Sequence, residues 1–206
     1  MDTKQHWEKV YANKPADSVS WFQPQAVQSM KIIQRLSLDR SAHIIDVGGG
    51  ASTLVDDLLA QGYSDVSVLD LSAYALQVAK ERLSDAAHRV QWIEGDITQV
   101  VLPEHRFDLW HGRAVFHFLT DEAARHRYIE TVLKSVRPGG YILVATFTED
   151  GPEQCSGLPV QRYSAGSLRA EFGSPFELLG HKKEIHQTPF GSLQKFIYCL
   201  CRVTHV

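Results

Sequence analysis

A glycine-rich segment in the first quarter of the chain carries the residue types best suited to binding a nucleotide-like ligand. An apolar run ends at Asp46 and continues as Val47-Gly48-Gly49-Gly50-Ala51-Ser52-Thr53. Glycines let a backbone turn sharply and approach a ligand, and a helix that begins after such a turn points unpaired N–H groups at the same place. The segment therefore predicts a ligand site at the carboxyl end of a strand.

The spacing of the glycines restricts the class of ligand. A dinucleotide fingerprint has the form Gly-x-Gly-x-x-Gly, and counted from Gly48 its third glycine would fall on Thr53. A P-loop needs Gly-Lys-Ser/Thr after the turn, and the segment contains no lysine. The spacing disfavours NAD and excludes the P-loop, which leaves Asp-x-Gly-x-Gly with Ser52 at the third small position.

Two further acidic residues follow predicted strands. Asp70 lies at the end of the second strand, just before Leu71, where a carboxylate can accept hydrogen bonds from both hydroxyls of a ribose. Asp96 follows the third strand, where it can accept from an adenine amino group while the backbone N–H of Ile97 meets a ring nitrogen. Because the carboxyl ends of parallel strands meet at one edge of a sheet, we interpret the glycine turn and these two strand ends as one site.

The end of the fourth predicted strand offers groups that could hold charge or move a proton. It reads Trp110-His111-Gly112-Arg113 and continues into an apolar stretch that contains His117. Arg113 could bind an anionic group, and His111 or His117 could take a proton near neutral pH. A histidine in an apolar stretch is more often a packed core residue, as we expect for His117. For His111 and Arg113 we keep both interpretations, a functional role and packing in the core.

Aromatic residues are dense near the N-terminus, and three cysteines lie near the C-terminus. Tyr11 and Trp21, with Trp7 and Phe22, could form a lid that excludes water and surrounds a cationic ligand, or could simply pack an N-terminal helix. Alternating burial in a strand explains Cys199 and Cys201 more simply than metal binding does, so we expect no metal site.

The strands and helices that would position these residues are predicted from the hydrophobic pattern between about residue 42 and residue 147. Apolar runs alternate with helical patterns there, which indicates a parallel sheet with crossover helices. The predicted strands are Ala42–Val47, Val66–Leu71, Val90–Glu94, Phe107–His111 and Tyr141–Phe147. The predicted helices between them are Thr53–Gln61, Tyr74–Leu83 and Asp121–Ser135, the last with Thr120 as its N-cap and Pro138-Gly139-Gly140 as its stop.

The flanking segments complete one α/β domain over residues 1–206. Residues 1–40 predict a helical lid that includes a helix over Val27–Leu36, and residues 41–147 predict the ligand-binding core. Residues 148–206 predict a short helix after Ser164 and an antiparallel hairpin of Phe176–Leu179 and Gln194–Arg202 that closes the sheet. The expected fold is a doubly wound, mostly parallel, Rossmann-like sheet with helices on both faces.

Composition excludes several classes of function. The 206 residues include 44% hydrophobic and 22% charged residues with a formal net charge of -3, which is typical of a globular domain. The broad basic surface of a nucleic-acid-binding protein is missing, so nucleic acid is not an expected partner. No apolar run reaches the length of a membrane span, and there is no signal-peptide core. Because the chain also has few cysteines, we expect a cytoplasmic protein.

On these motifs the chain resembles the class I S-adenosylmethionine-dependent methyltransferases from about residue 40 onward. It is similar to them also at Phe107-Asp108-Leu109-Trp110-His111 and at Arg137-Pro138-Gly139-Gly140-Tyr141. The N-terminal His6-Trp7-Glu8-Lys9-Val10-Tyr11 is similar to a branch that includes some protein-lysine methyltransferases. The resemblance implies a sheet of seven strands, the last of them antiparallel, with S-adenosylmethionine across the carboxyl ends of the first four. Ser52, where many members have glycine, is a mild departure.

The function that the resemblance implies is methyl transfer by in-line displacement to a small molecule or a protein side chain. The segment after Phe107-Asp108-Leu109 lacks the Asp/Asn-Pro-Pro-aromatic motif that grips planar nitrogens, which again disfavours nucleic acid. Two other readings are a non-catalytic or regulatory protein that binds the cofactor, and a nicotinamide-dependent oxidoreductase. The sequence specifies neither the acceptor atom nor the oligomeric state.

Overall fold

A seven-stranded sheet organises the molecule, which we describe from a computed structural model. The structure describes residues 3–204; Met1, Asp2, His205 and Val206, which belong to the predicted lid and sheet-closing part, lie outside the described residues. The strands are, in chain order, β1 (His43–Val47), β2 (Asp65–Asp70), β3 (Val90–Glu94), β4 (Phe107–Arg113), β5 (Val136–Phe147), the short pair β6 (Gln154–Cys155) and β7 (Leu158–Pro159), β8 (Phe176–Gln187) and β9 (Leu193–Val203).

The strands of the sheet follow the order β3-β2-β1-β4-β5-β9-β8. Pairings among β1 to β5 are parallel, and β9 runs antiparallel to both β5 and β8. Five residues of β2 and six of β4 are buried, because helices cover both faces of a parallel sheet. The predicted seven-stranded sheet with an antiparallel C-terminal hairpin is confirmed.

Six helices flank the sheet in the described part of the chain. They are α1 (Thr3–Asn13), α2 (Val27–Arg35), α3 (Leu54–Ala60), α4 (Ala73–Leu83), α5 (Glu122–Ser135) and α6 (Ala165–Phe172). Neighbouring strand residues alternate between two cores: Ile44 packs in the core that includes α2, α3 and α4, and Ile45 packs in the core that includes α5 and α6. Within residues 3–204, no helix is both long and apolar enough to cross a membrane.

Local capping explains where two helices begin. The Ser72 hydroxyl accepts a hydrogen bond of 3.1 Å from the N–H of Ala75 and caps α4. At α5 the prediction of Thr120 as the cap was wrong, because the carboxylate of Asp121 accepts from the N–H of Ala124 at 2.9 Å. The helix consequently begins at Glu122.

The structure lengthens several of the predicted strands, and β5 and β8 change the most. The β5 strand begins at Val136 rather than Tyr141, since Val136 already pairs with Phe107 before a register shift in β4. The helix before it ends at Ser135, ahead of the predicted stop at Pro138. The β8 strand continues to Gln187 because it lies at the sheet edge, where His181, Lys182 and Lys183 are exposed while β9 pairs with one side of its backbone.

The strand order creates a crevice at one end of the sheet. After β3 the chain returns to the other side of β1 and forms β4, so the loops that follow β1 and β4 lead away from each other. Ligands of open α/β sheets bind at such a reversal, outside the carboxyl ends of the strands. All of the predicted site residues except those of the N-terminal segment lie at this end.

Candidate functional site

The glycine turn after β1 is shaped by close contacts that leave no room for side chains. Gly48 has φ of +66° and Gly50 has φ of +38°, a region that favours glycine. A β-carbon on Gly48 would stand 2.0 Å from Cγ2 of Val115. The N–H groups of Gly48 and Gly49 donate to the Leu69 carbonyl at 2.7 and 3.2 Å, which fixes the turn against β2. The turn is therefore a rigid backbone wall of the crevice.

Asp70 lies at the end of β2 with its carboxylate turned toward the same crevice. Its Oδ1 accepts a hydrogen bond of 2.8 Å from the N–H of Ser72, and the residue is buried. Burial, with a smaller contribution from the negative charges of Asp46 and Glu8, raises the pKa of this carboxyl to about 7 against the opposing effect of the Ser72 hydrogen bond. A buried carboxylate of this kind gains from a ligand that donates hydrogen bonds.

A cavity of about 310 Å³ brings most of the predicted binding residues together, although Asp46, Gly49 and Gly50 do not line it. Its wall includes Gly48, Asp70, Leu71, Asp96 and Ile97. The Asp96 carboxylate accepts from the N–H and hydroxyl of Thr98, both at 2.8 Å, so its position is fixed by its own loop. The structure thus places the ends of β1, β2 and β3 around one space, which we call the larger cavity.

Aromatic residues of the N-terminal segment form part of the wall of the larger cavity. Trp7 contacts Trp21 and Phe118 edge to face, with ring centroids 5.6 and 5.0 Å apart. Tyr11 is buried, and burial raises the pKa of its hydroxyl well above its ordinary value. All four rings line the cavity, so the predicted cofactor-binding residues Tyr11 and Trp21 lie beside the other predicted binding residues.

Glu8 connects this N-terminal segment to the sheet, a role that the sequence analysis missed. Its carboxylate accepts from the Ser72 hydroxyl at 3.1 Å and from the N–H groups of Ala73 and Tyr74 at 2.8 and 3.2 Å. These N–H groups belong to the first turn of α4, where an anion is favoured. The only sequence signal for the contact would have been an acid on the polar face of α1.

A buried chain of hydrogen bonds lies beneath the glycine turn. His111 Nδ1 lies 2.6 Å from Asp46 Oδ1, and His111 Nε2 lies 2.9 Å from the hydroxyl of Ser29 in α2. All three residues are buried, His111 with 2% of its surface exposed. His111 does not line the larger cavity but a smaller one of about 40 Å³, together with Asp46 and Ser29. We call this space the smaller cavity.

Arg113 lies between the two cavities and lines both of them. Its Nε donates to the Tyr198 hydroxyl at 2.9 Å, its Nη1 donates to the Trp21 carbonyl at 2.8 Å, and its guanidinium stacks 4.3 Å from the ring centre of Phe196. The Glu184 carboxylate is 3.8 Å from Nη2. The side chain therefore ties β4 to the hairpin and to the N-terminal segment.

His117 and the cysteines do not belong to a reactive cluster. His117 is fully buried and packs against Phe147, and burial followed by the charge of Arg113 lowers its pKa to about 3. This agrees with the expected core role. Cys155, Cys199 and Cys201 are free and buried. In residues 3–204 no group of three or more histidine, cysteine or acidic side chains is arranged to hold a metal ion.

Comparison with known proteins adds an independent line of information. Residues 44–140 match the family model described as a methyltransferase domain. The eEF1A lysine and N-terminal methyltransferase of Bos taurus is 23% identical over 150 residues, which are 70% of this chain and 21% of that protein. The chain spans between 3% and 43% of the length of the curated relatives that it matches.

Two solved structures share the fold over nearly the whole chain. One, described for the conversion of a disulfide bond into a thioacetal group during echinomycin biosynthesis, superposes with a TM-score of 0.77 at 16% identity and covers 98% of this chain and 91% of its own. The other is the 1,6-didemethyltoxoflavin-N1-methyltransferase of Burkholderia thailandensis with bound 1,6-didemethyltoxoflavin and S-adenosylhomocysteine. Its TM-score is 0.69 at 18% identity, with coverage of 98% and 84%.

Proposed function

We propose that the chain is a class I methyltransferase, which binds S-adenosylmethionine and transfers the methyl group to a small molecule or a protein side chain. The observation that carries the proposal is the larger cavity, whose wall joins the glycine turn to Asp70 and Asp96. The residues suit this cofactor, because a turn that no side chain can fill lies beside a buried carboxylate that needs hydrogen-bond donors.

The predicted binding residues receive roles in contact with the cofactor, except Asp46, which lies beneath the glycine turn with its Oδ1 2.6 Å from His111 Nδ1. Asp70 accepts hydrogen bonds from the ribose hydroxyls, and Leu71 packs beside the adenine. The free oxygen lone pairs of Asp96 accept from the adenine amino group, while the N–H of Ile97 meets a ring nitrogen. The backbone of Gly48, Gly49 and Gly50 follows the amino-acid end of the cofactor. Tyr11 and Trp21 cover the sulfonium, whose charge favours contact with aromatic faces.

Methyl transfer requires the protein mainly to align the methyl donor with the acceptor and to exclude water. S-adenosylmethionine supplies, when bound, an electrophilic methyl group on a sulfonium. The aromatic residues of the N-terminal segment shield this part of the cavity, and a dry site strengthens the electrostatic contacts within it. The Val115–Leu119 segment supplies Phe118 to the facing wall, where an acceptor can be aligned with the methyl group.

The sequence offered His111 as a group that could move a proton and Arg113 as a group that could bind an anion, and their geometry favours a different role. Both ring nitrogens of His111 are engaged with Asp46 and Ser29, so neither is directed at the larger cavity. The guanidinium of Arg113 is held by Tyr198 and by the Trp21 carbonyl. We therefore propose that the acceptor is bound by the aromatic wall rather than by these two side chains.

The proposal includes two classes of methyl acceptor, small molecules and protein side chains. The similar proteins include a lysine and N-terminal methyltransferase and a 1,6-didemethyltoxoflavin-N1-methyltransferase. A net charge of -3 supports an acceptor other than nucleic acid. We also propose a cytoplasmic location, which the three free, buried cysteines support.

Calorimetric titration with S-adenosylhomocysteine tests the proposal directly. We expect dissociation constants in the micromolar range, no binding of NAD, and weakening by about 1–3 kcal/mol in Asp70→Asn, the scale for an unpaired polar group. Asp85→Asn, at an exposed acid in the turn after α4, is the matched control and should bind like the parent. Binding of NAD in place of S-adenosylhomocysteine would refute the proposal. Binding without transfer of a labelled methyl group to small amines, thiols, acids or protein extracts would favour the non-catalytic alternative.

A further inference from the structure

Arg82 of α4 holds the far end of the glycine turn by two of its carbonyl groups. Its Nη1 donates to the Ala51 carbonyl at 2.8 Å, and its Nη2 donates to the Ser52 carbonyl at 2.6 Å. Neither carbonyl accepts a backbone hydrogen bond within residues 3–204. The donors of a guanidinium lie in one rigid plane, so a single side chain fixes two successive peptide groups of the turn.

An ion pair with Asp56 keeps the guanidinium in place. Arg82 Nε lies 3.0 Å from Oδ1 of Asp56 and Nη2 lies 2.7 Å from Oδ2, the two-point contact that suits a guanidinium and a carboxylate. Together with the two carbonyls, these contacts use four of the five N–H groups, and 30% of the side chain is exposed. Because Asp56 lies in the first turn of α3, Arg82 joins α4 both to that helix and to the turn before it.

Gly50 immediately precedes the two held carbonyls and lies between Asp70 and α4. A β-carbon on Gly50 would stand 2.8 Å from Asp70 Oδ2 and 3.2 Å from the β-carbon of Ala75. Ala75 belongs to the same helix as Arg82, so α4 both packs against the turn and holds it by hydrogen bonds. The distance between Gly50 and Asp70 is therefore set from α4.

The two oxygens of the Asp70 carboxylate are confined on two sides. Oδ1 accepts a hydrogen bond of 2.8 Å from the N–H of Ser72, and Oδ2 lies against the backbone of Gly50. A carboxylate held at one oxygen can still rotate if the surface beside its other oxygen moves away. The orientation of Asp70 in the wall of the larger cavity consequently depends on Gly50 staying in place.

We infer that Arg82 is a positioning residue, which keeps Gly50 against Asp70 by holding the two carbonyls of the turn. This contact sets the orientation in which the Asp70 carboxylate accepts hydrogen bonds from ribose hydroxyls. The inference rests on the proposed function, which assigns the ribose to Asp70. Arg82 itself lines neither cavity, so it acts only through the turn. The effect should be specific, because a hydrogen bond weakens steeply when its angle is lost.

Two ligands that differ only in the ribose hydroxyls provide the test. S-adenosylhomocysteine carries both hydroxyls, whereas its 2′,3′-dideoxy analogue carries neither and keeps the adenine and the amino-acid end. We expect calorimetric titration of Arg82→Met to show about five- to tenfold weaker binding of S-adenosylhomocysteine. Binding of the analogue should change by less than about twofold, because only the first ligand donates to the Asp70 carboxylate.

Three further variants separate positioning from stability. Arg82→Lys retains donors for the carbonyls of the turn and should recover part of the lost preference for S-adenosylhomocysteine over the analogue. Asp56→Asn removes the ion pair but leaves the carbonyl contacts, so it should lower the melting temperature slightly and retain most of the preference. Arg89→Met, at an exposed arginine that follows α4, is the control and should match the parent with both ligands.

Each possible result supports or overturns the inference. Equal weakening of both ligands in Arg82→Met would show a purely structural role, and unchanged binding of both would show that Asp70 needs no positioning. If Arg82→Met does not fold, the same comparison in Arg82→Lys decides. An equal loss of preference in Asp56→Asn would overturn the role of the carbonyl contacts. A parent protein that binds neither ligand would overturn the proposed function itself, an outcome distinct from the loss of preference in a variant.

Discussion

Gly50 and Asp70 lie so close together that a β-carbon at Gly50 would stand 2.8 Å from Oδ2 of Asp70. Gly50 belongs to the turn after β1, and Asp70 is the last residue of β2. Since Gly50 has φ of +38°, both the backbone conformation and the space require glycine at this position. The contact fixes the carboxylate of Asp70 relative to the glycine turn.

Gly50→Ala should therefore damage binding as well as stability. The new methyl group displaces the Asp70 carboxylate, and we expect binding of S-adenosylhomocysteine to weaken by about tenfold or more and the melting temperature to fall. Gly62→Ala is the matched control, because Gly62 has φ of +87° but nothing within 4 Å of its would-be β-carbon. It should lower the melting temperature through backbone strain alone. Equal loss of binding in both variants would contradict this explanation.

The elevated pKa of Asp70 predicts how binding depends on pH. Ribose hydroxyls donate to the ionised carboxylate, so bound ligand favours the charged form over the protonated one. Because the pKa of the free protein is about 7, affinity for S-adenosylhomocysteine should fall as pH decreases below 7. Titration calorimetry between pH 5.5 and 8.5 measures this, at up to about tenfold per pH unit. Asp70→Asn should give a flatter profile, and an unchanged slope in that variant would assign the dependence to another group.

Asp70 and His117 should affect stability with opposite slopes. The folded-state pKa of Asp70, about 7, lies above its ordinary value of 3.8, so its contribution to the free energy of unfolding decreases as pH rises between these values. The pKa of His117 is lowered to about 3 from 6.5, so its contribution is lost as pH falls through that range. Melting temperatures of Asp70→Asn should therefore rise more steeply with pH between 4 and 6.5 than those of the parent or of Asp85→Asn. A parallel pair of curves would contradict the burial of an uncharged Asp70.

Glu8→Ala tests whether the N-terminal helix acts as a lid. The change removes three hydrogen bonds from the first turn of α4, and we expect faster hydrogen exchange in α1 and about three- to tenfold weaker binding of S-adenosylhomocysteine. Gln5→Ala, at an exposed position of the same helix, controls for changes in helix propensity and should have little effect. Faster exchange without weaker binding would show that α1 does not serve as a lid for the ligand.

The parts of the site that sequence could predict are those in which one short segment contains the whole signal. The glycine turn, with Asp70 and Asp96 after their strands, needs only local pattern and the rule that parallel strands end at one edge of a sheet. The N-cap of α5 was misplaced by one residue because Thr120 and Asp121 are both good caps, and only the backbone path decides between them.

Contacts between segments that are far apart in the sequence could not be predicted, because the residues of one segment do not indicate which other segment it contacts. The hydrogen bond between Ser29 and His111 joins residues 82 positions apart, and that between Glu8 and Ser72 joins residues 64 positions apart. The same limit hid the length of β8, whose run from His181 to Glu184 is polar and becomes a strand only because β9 lies beside it. Patterns of hydrophobicity report burial, and this segment is exposed.

The position of β8 also bears on how copies of this protein meet in concentrated solution. A strand at a sheet edge has unpaired backbone groups along one side, which can template pairing with another chain. The strand covers residues 176–187, so Lys182 lies next to its midpoint and Lys183 follows it. In a symmetric antiparallel contact centred between these two exposed residues, Lys182 of one copy would lie opposite Lys183 of the other, and like charges directly opposite each other are destabilising. Two positive charges near the centre of this edge therefore disfavour pairing of two copies through β8.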